Sequence, residues 1–146
     1  DLSRGLGDVY KRQDMEYKLM KAFFPGPLTI ILNKKDIVPD ILTANGSTVG
    51  VRMPEGKIAR ELVKCADVPI AAPSANISGK PSGTNLQDIQ KDFEKSVDCF
   101  IDGGKSKLGI ASTIVKVVNN IPHILRVGSI SKEEIEKIAG KVIIEE

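Results

Sequence analysis

Ala71–Thr84 reads AAPSANISGKPSGT, and the apolar run entering it, Val68-Pro69-Ile70-Ala71-Ala72, predicts a buried strand that gives way to a long polar turn. Small side chains let a backbone come close to a ligand, glycine admits positive φ, and hydroxyls both donate and accept hydrogen bonds. Successive backbone N–H groups in such a turn can form an anion-binding concavity. Open α/β sheets place their ligands just beyond the ends of buried strands. A polar surface loop has the same composition, so the flanking segments must decide.

Upstream, Ile58, Leu62 and Cys65 keep helical spacing, which predicts a helix over Lys57–Lys64 packed on the sheet. Before it, Thr48-Val49-Gly50-Val51-Arg52 has a strand's alternation. Val49 and Val51 share one face, while Thr48, Gly50 and Arg52 share the other. That second face suits a small anionic ligand, or else it is the solvated face of an edge strand. Earlier still, Asp14 is placed as an N-cap, with Met15, Leu19, Ala22 and Phe23 along one helix face. Phe24-Pro25-Gly26-Pro27 ends that helix and turns the chain into a buried strand at Leu28–Leu32.

Downstream, Thr84 and Gln87 fit a capping box, followed by a helix whose face carries Leu86, Ile89 and Phe93. Asp98–Ile101 reads as a short strand. A second hydroxyl-bearing segment, Gly109-Ile110-Ala111-Ser112-Thr113, enters a β-branched run that ends at Val118. Asn119-Asn120 turns it back as His123–Val127, a strand carrying Arg126. The last helix has the firmest local signature: Ser131 and Glu134 form a capping box, Ile130 and Ile135 a hydrophobic staple, and Ile138 extends the core face. Strands alternating with helices, plus one hairpin, argue an α/β (α+β) domain with a mixed sheet flanked by helices.

At 146 residues, with 41% hydrophobic and 27% charged residues, the chain fits a single globular domain. A net charge of +2 argues little for nucleic acid. Cys65 and Cys99 are expected as reduced core residues. No apolar run approaches the roughly 18 residues of a membrane span, and a cytoplasmic setting without membrane contact is the expectation. Residues 1–13 show no hydrophobic period and are expected to be a disordered leader outside the domain, which then runs over 14–146.

Several chemistries are absent from the pattern. Asp102-Gly103-Gly104-Lys105-Ser106 imitates the end of a phosphate-binding P-loop, but position 99, where its first glycine belongs, is Cys99. One histidine and two scattered cysteines make no familiar zinc spacing, and a serine triad lacks its partners. His123 reads as structural or exposed. Chemistry on this chain must proceed by positioning and electrostatics.

Five segments, taken together, resemble the threonylcarbamoyl-AMP synthase family, the YrdC-like domain. They are Phe24-Pro25-Gly26-Pro27-Leu28-Thr29; Thr48–Arg52; Ala72-Pro73-Ser74-Ala75-Asn76 with Ser78-Gly79-Lys80-Pro81-Ser82; Ser112-Thr113-Ile114-Val115; and Leu125-Arg126-Val127-Gly128. They occur in family order from about Phe23 to Ile138. Gly83, Ala111 and Val127 depart from the family's frequent proline, glutamate and proline. The resemblance implies a twisted mixed sheet flanked by helices and a reaction joining L-threonine, bicarbonate or CO2, and ATP into threonylcarbamoyl-AMP, with release of pyrophosphate. Mg²⁺ would accompany ATP, and partner proteins would pass the group on to tRNA. Such chemistry needs no protein nucleophile, because the threonine carbamate attacks the α-phosphorus.

Carried over position by position, the resemblance implies that Arg52 grips the threonine carboxylate, with Ser74 and Ser112 on the threonine or its carbamate. It puts Thr48, Ala72 (through its backbone), Asn76 and Ser82 at the nucleotide, and Arg126 at the ATP phosphates. Turn-stabilising roles for Ser74, Asn76 and Ser82, and a surface role for Arg126, remain open on the residues alone. The family's N-terminal threonine-binding segment and basic motif have no counterpart before Asp14, and Lys11-Arg12-Gln13 carries no role. The chain is thus expected to be the C-terminal two-thirds of the domain, N-terminally truncated, with weak or no synthase activity as it stands. Two other readings share the resemblance. One is a double-stranded RNA or tRNA-binding module, which the scattered basic residues and few aromatics support little. The other is the carbamoyl-adenylate domain of hydrogenase-maturation enzymes.

Overall fold

The structure, a computed structural model, describes residues 10–11, 14–106 and 110–145. They fall into two compact units that divide at Ile70/Ala71 and at Gly109/Ile110. The larger unit is built on one mixed sheet. Its elements are β1 (Tyr10–Lys11), α1 (Asp14–Phe23), β2 (Leu28–Lys34), a 3₁₀ turn at Asp40–Thr43, β3 (Thr48–Val51), α2 (Lys57–Ala66), β4 (Thr113–Val118), β5 (Ile121–Arg126), α4 (Lys132–Ala139) and β6 (Ile143–Ile144). The smaller unit, Ala71–Gly109, carries α3 (Leu86–Phe93).

The strand order is β1-β2-β4-β5-β6, with β3 on the other edge of β2. β2 runs parallel to β4 and β5 parallel to β6, while β3 and the β4–β5 hairpin pair antiparallel. The mixed sheet flanked by helices that the sequence predicts is therefore present. Asn119 and Asn120, at φ 48° and 63°, close the hairpin with both central residues in the left-handed region. Asparagine tolerates that conformation, and the resulting twist matches the flanking strands.

Period-2 burial decides which face of the sheet is closed. Leu28, Ile30 and Leu32 of β2, Val51 of β3, Val115 and Val117 of β4 and Ile124 of β5 are buried together with Met15, Leu19 and Met20 of α1 and Ile135 of α4. This single apolar cluster forms the core, leaving the alternate residues on the opposite face. The capping box of α4 is formed, with Ser131 Oγ accepting from Glu134 N (3.2 Å) and Glu134 Oε2 from Ser131 N (2.8 Å). The staple residues Ile130 and Ile135 are both buried.

Hydrogen bonding to the carboxylate from the Ser131 N–H, and after it from the Ser131 hydroxyl, holds the Glu134 carboxyl below its ordinary pKa. A folded-state pKa below the unfolded one adds stability that is present above the unfolded value and lost as pH falls. Replacing Glu134 by Gln should thus flatten the acid side of the stability–pH curve. Replacing Ser131 by Ala should lower Tm at pH 7 by about 3 °C, as measured by thermal denaturation.

Several expectations are corrected. α2 forms, but the face meant to pack on the sheet is open: Ile58 and Leu62 are about half exposed and Cys65 is exposed. Periodicity identifies an apolar stripe without saying what covers it. Val68–Ala72 forms no strand, and Val68 and Ile70 are exposed. Pro69 and Pro73 have no N–H to give to a ladder. Asp98–Ile101 likewise stays irregular, since a short apolar run becomes a strand only where a neighbour pairs with it. Cys65 and Cys99 are free thiols as expected, yet both are exposed rather than in the core.

The cap of α3 sits one residue later than predicted: Asn85 Oδ1 accepts from Asp88 N (3.0 Å), while Asp88 Oδ2 accepts from Thr84 N (3.0 Å). Tyr10–Lys11, expected within a structureless leader, pairs with Asn33–Lys34 of β2. The rest of that stretch lies outside the described residues. No helix among the described residues is long and apolar enough to cross a membrane.

Candidate functional site

The open face of the sheet carries the arginines. β2 pairs Ile30 with Val51 and Thr29 with Ile114, and β4 pairs Ile114 with Arg126. Continuing the β2–β3 register by one residue puts Arg52 at the level of Thr29. Arg52, Thr29, Ile114 and Arg126 therefore form one row across four strands, and three steps of about 4.8 Å set the two arginine Cα atoms roughly 14 Å apart. Alternation keeps Arg52, Thr29 and Ile114 on the face away from Leu28, Ile30, Val51 and Val115, and the bulge that skips Leu125 brings Arg126, rather than Leu125, opposite Ile114.

At one end of this row, side chains and backbone interlock. Arg126 donates to the Ser112 carbonyl through Nη2 (2.8 Å) and Nε (3.2 Å), and Nη2 also lies 3.3 Å from Ser112 Oγ. Ser112 Oγ in turn shares a hydrogen bond with Thr29 Oγ1 at 2.9 Å. This anchorage uses one edge of the guanidinium, and Nη1 makes no hydrogen bond among the described residues. At the other end Arg52 donates from Nε to the Gly26 carbonyl (3.3 Å), while Gly26 N donates to the Met53 carbonyl (2.9 Å). The Phe24–Pro27 corner, which includes a cis Phe24-Pro25 peptide, thus meets the chain on either side of the Arg52–Met53 bond.

Neither arginine has a carboxylate within ion-pairing distance among the described residues. Two cations aligned on one face without a protein counter-ion are poised for anions, and a guanidinium fork matches carboxylate or phosphate geometry.

The remaining sequence-predicted residues divide between the units. Thr48 starts β3 opposite Asn33, on the same open face as Arg52 and three strand steps along from Val51. Ala72, Ser74, Asn76 and Ser82 lie in the smaller unit. There Ser82 Oγ donates to Asn76 Oδ1 (3.1 Å), Asn76 Nδ2 donates to the Ile77 carbonyl (3.1 Å), and Asn76 N donates to the Ser74 carbonyl (3.0 Å). Gly79 has φ 83°, a conformation few other residues adopt. Asn76 is thus the internal brace of the Ala71–Thr84 turn. Gly83 is pressed against α3, for a Cβ there would come within 2.4 Å of Ile89 Cγ2.

Thr29 and Thr113 received no role from the sequence. A threonine between Leu28 and Ile30 in an apolar strand was the available signal for Thr29. Thr113, fully buried beside Ser112, was hidden as the first residue of a β-branched run. His123 is structural, its Nδ1 meeting the Glu145 carboxylate.

This fold and site define an α/β domain whose sheet brings together on one face two guanidiniums without a carboxylate partner among the described residues and the Thr29–Ser112 hydroxyl pair. The chain belongs to the Sua5/YciO/YrdC family, described as "Telomere recombination", whose model matches residues 5–128. It is 46% identical over 126 residues to the threonylcarbamoyl-AMP synthase of Pyrococcus abyssi, covering 86% of this chain and 37% of that protein. The Bacillus subtilis threonylcarbamoyl-AMP synthase is 41% identical, covering 87% of this chain and 37% of that protein. The chain therefore spans little more than a third of the length of these relatives. The structure of P. abyssi Sua5 complexed with L-threonine superposes with a TM-score of 0.89 at 43% identity, covering 96% of this chain and 42% of that one. The crystal structure of Escherichia coli YciO gives 0.80 at 27% identity, covering 92% and 66%.

Proposed function

We propose that this chain holds substrates of an L-threonylcarbamoyladenylate synthase, which acts in threonylcarbamoyladenosine modification of tRNA. The observation that carries the reading is the row Arg52–Thr29–Ile114–Arg126, which offers two unpaired guanidiniums on one face beside the Thr29–Ser112 hydroxyl pair. The similarity to named synthases, one of them with L-threonine in its structure, supports the same assignment.

In this reading bicarbonate loses water to give CO2, and the threonine amine takes that CO2 up as a carbamate, releasing the proton that the dehydration consumes. A carbamate oxygen then forms a bond to the α-phosphorus of ATP as the bond to the β-phosphate oxygen breaks and pyrophosphate leaves. Arg52 pairs with the threonine carboxylate, and Ser112 and Ser74 contact threonine or carbamate oxygens. Arg126 neutralises charge on the phosphates, and Thr48, Ala72, Asn76 and Ser82 meet the nucleotide. Electrostatic positioning of this kind suits phosphoryl and nucleotidyl transfer. Among the described residues no three His, Cys, Asp or Glu side chains gather to hold a metal. Mg²⁺ is accordingly proposed as part of the substrate, carried in by the ATP phosphates and its own waters. Bicarbonate is the source of the carbamate, and downstream transfer proteins and tRNA are the proposed partners, in a cytoplasmic setting.

Calorimetry with L-threonine, MgATP and tRNA tests the assignment. Threonine is expected to bind, and Arg52→Lys, which keeps the charge but loses the fork, is expected to weaken it about tenfold. A chain that ignores both threonine and ATP but binds RNA with a steep salt dependence would overturn the synthase reading in favour of an RNA-binding module.

A further inference from the structure

The buried hydroxyl of Thr113 lies one residue beyond Ser112 and uses its full bonding capacity. Oγ1 donates to the Ile130 carbonyl at 2.6 Å and accepts from Gly128 N and Ile130 N, both at 3.0 Å. A hydroxyl has one proton and two lone pairs, and here all three are engaged. The side chain is 0% exposed, so no solvent replaces these bonds if they are lost. Beside it, Ser129 N donates to the Ala111 carbonyl (3.1 Å). The entry to β4, Ala111–Thr113, is therefore laced to Gly128–Ile130, the segment that follows Arg126. Thr113 N itself donates to the Pro27 carbonyl (2.9 Å), which ties the same point to the start of β2, where Thr29 sits.

We propose that Thr113 is a positioning residue that sets the Arg126–Ser112 pair. Arg126 reaches the Ser112 carbonyl only while the chain leaving β5 is held against the chain entering β4, and the Thr113 hydroxyl supplies three of the bonds that hold it there. Its loss lets the 127–130 segment move away, and Arg126 then no longer presents its free edge in a fixed direction. The proposal rests on the anion-binding reading of Arg126 for its ligand, but its geometric half stands without any ligand.

Thr113→Val keeps the shape and removes the hydroxyl, Thr113→Ser keeps the hydroxyl, and Val115→Ala on the same strand opens a core cavity while leaving every one of these hydrogen-bonding groups in place. Two quantities are read in each variant: the exchange rate of the Arg126 Nε proton by NMR in the ligand-free protein, and MgATP affinity by calorimetry. Thr113→Val should speed exchange and weaken MgATP by about tenfold each, while Thr113→Ser and Val115→Ala stay within about threefold of the parent. If Thr113→Val does not fold, Thr113→Cys, a weaker hydrogen-bonding group of similar size, is held to the same outcomes. Equal behaviour of Thr113→Val and Val115→Ala in both readouts would mean that Thr113 is merely a core residue, which overturns the proposal. If the parent chain fails to bind MgATP, the functional reading falls, and the exchange rates still decide the positioning role.

Discussion

Replacing Arg126 by alanine should cost about 100-fold in MgATP affinity. Each hydrogen bond from a charged donor to a phosphate oxygen contributes about 1.5–3 kcal/mol, and the free edge of this guanidinium offers two such bonds. At the lower bound, loss of one such bond already costs about tenfold, and loss of both reaches the larger figure. The change also leaves the Ser112 carbonyl without Nε and Nη2 and takes Nη2 away from Ser112 Oγ, so the hydroxyl that faces Thr29 loses a neighbour. Arg126→Lys should recover only a small part, because a single ammonium cannot span the Ser112 carbonyl and a ligand together. Calorimetry at two salt concentrations checks this: an Arg126→Ala protein that binds MgATP as tightly as its parent would show that the guanidinium is only a strand anchor.

The second large effect is on stability. A Cβ added at Gly128 would lie 2.2 Å from the Ala111 carbonyl oxygen, 2.5 Å from Ser112 C and 2.6 Å from Thr113 N. All three are backbone atoms of the segment entering β4, with no flexible side-chain end to yield. Gly128→Ala is therefore expected to destabilise the protein by about 3 kcal/mol or more, with a Tm roughly 6–12 °C lower. Gly50→Ala is the matched control, since its Cβ would make only ordinary 3.4 Å contacts with Ile31 and Thr29 side-chain atoms. Its Tm should shift by no more than about 3 °C. Comparable losses in the two variants would show that close approach at Gly128 carries no particular weight.

The elements that could be read from the chain are those whose signals are local. The Ser131–Glu134 box, the Asn119-Asn120 turn and the buried strand at Leu28–Leu32 each depend on neighbours a few residues away, and each formed as read. The open-face side of β3 was legible for the same reason, because period-2 geometry alone puts Thr48, Gly50 and Arg52 together. What failed depended on partners that sequence does not name. α2 has a clear stripe yet keeps it exposed, and Val68–Ala72 has strand composition without a strand beside it. Thr29 and Thr113 escaped notice because their roles arise from pairings across the sheet, Thr29 with Ser112 and Thr113 with Ile130. Arg126 was assigned through resemblance, and its hold on the Ser112 backbone was invisible until β4 and β5 were paired.

The parallel alignment of β2 with β4 has a temporal consequence. Thr29 and Ser112 touch although 83 positions separate them along the polymer, and the whole of Ala71–Gly109 is synthesised in between. Closing so long a loop is slow, and its entropic cost precedes any reward. While the ribosome is still making that intervening stretch, Thr29 has no Ser112 to meet, and the β2–β3 pair carries Arg52 without Arg126 across the sheet. Ligand competence must therefore arise late, as a property of the finished polypeptide rather than of any growing intermediate.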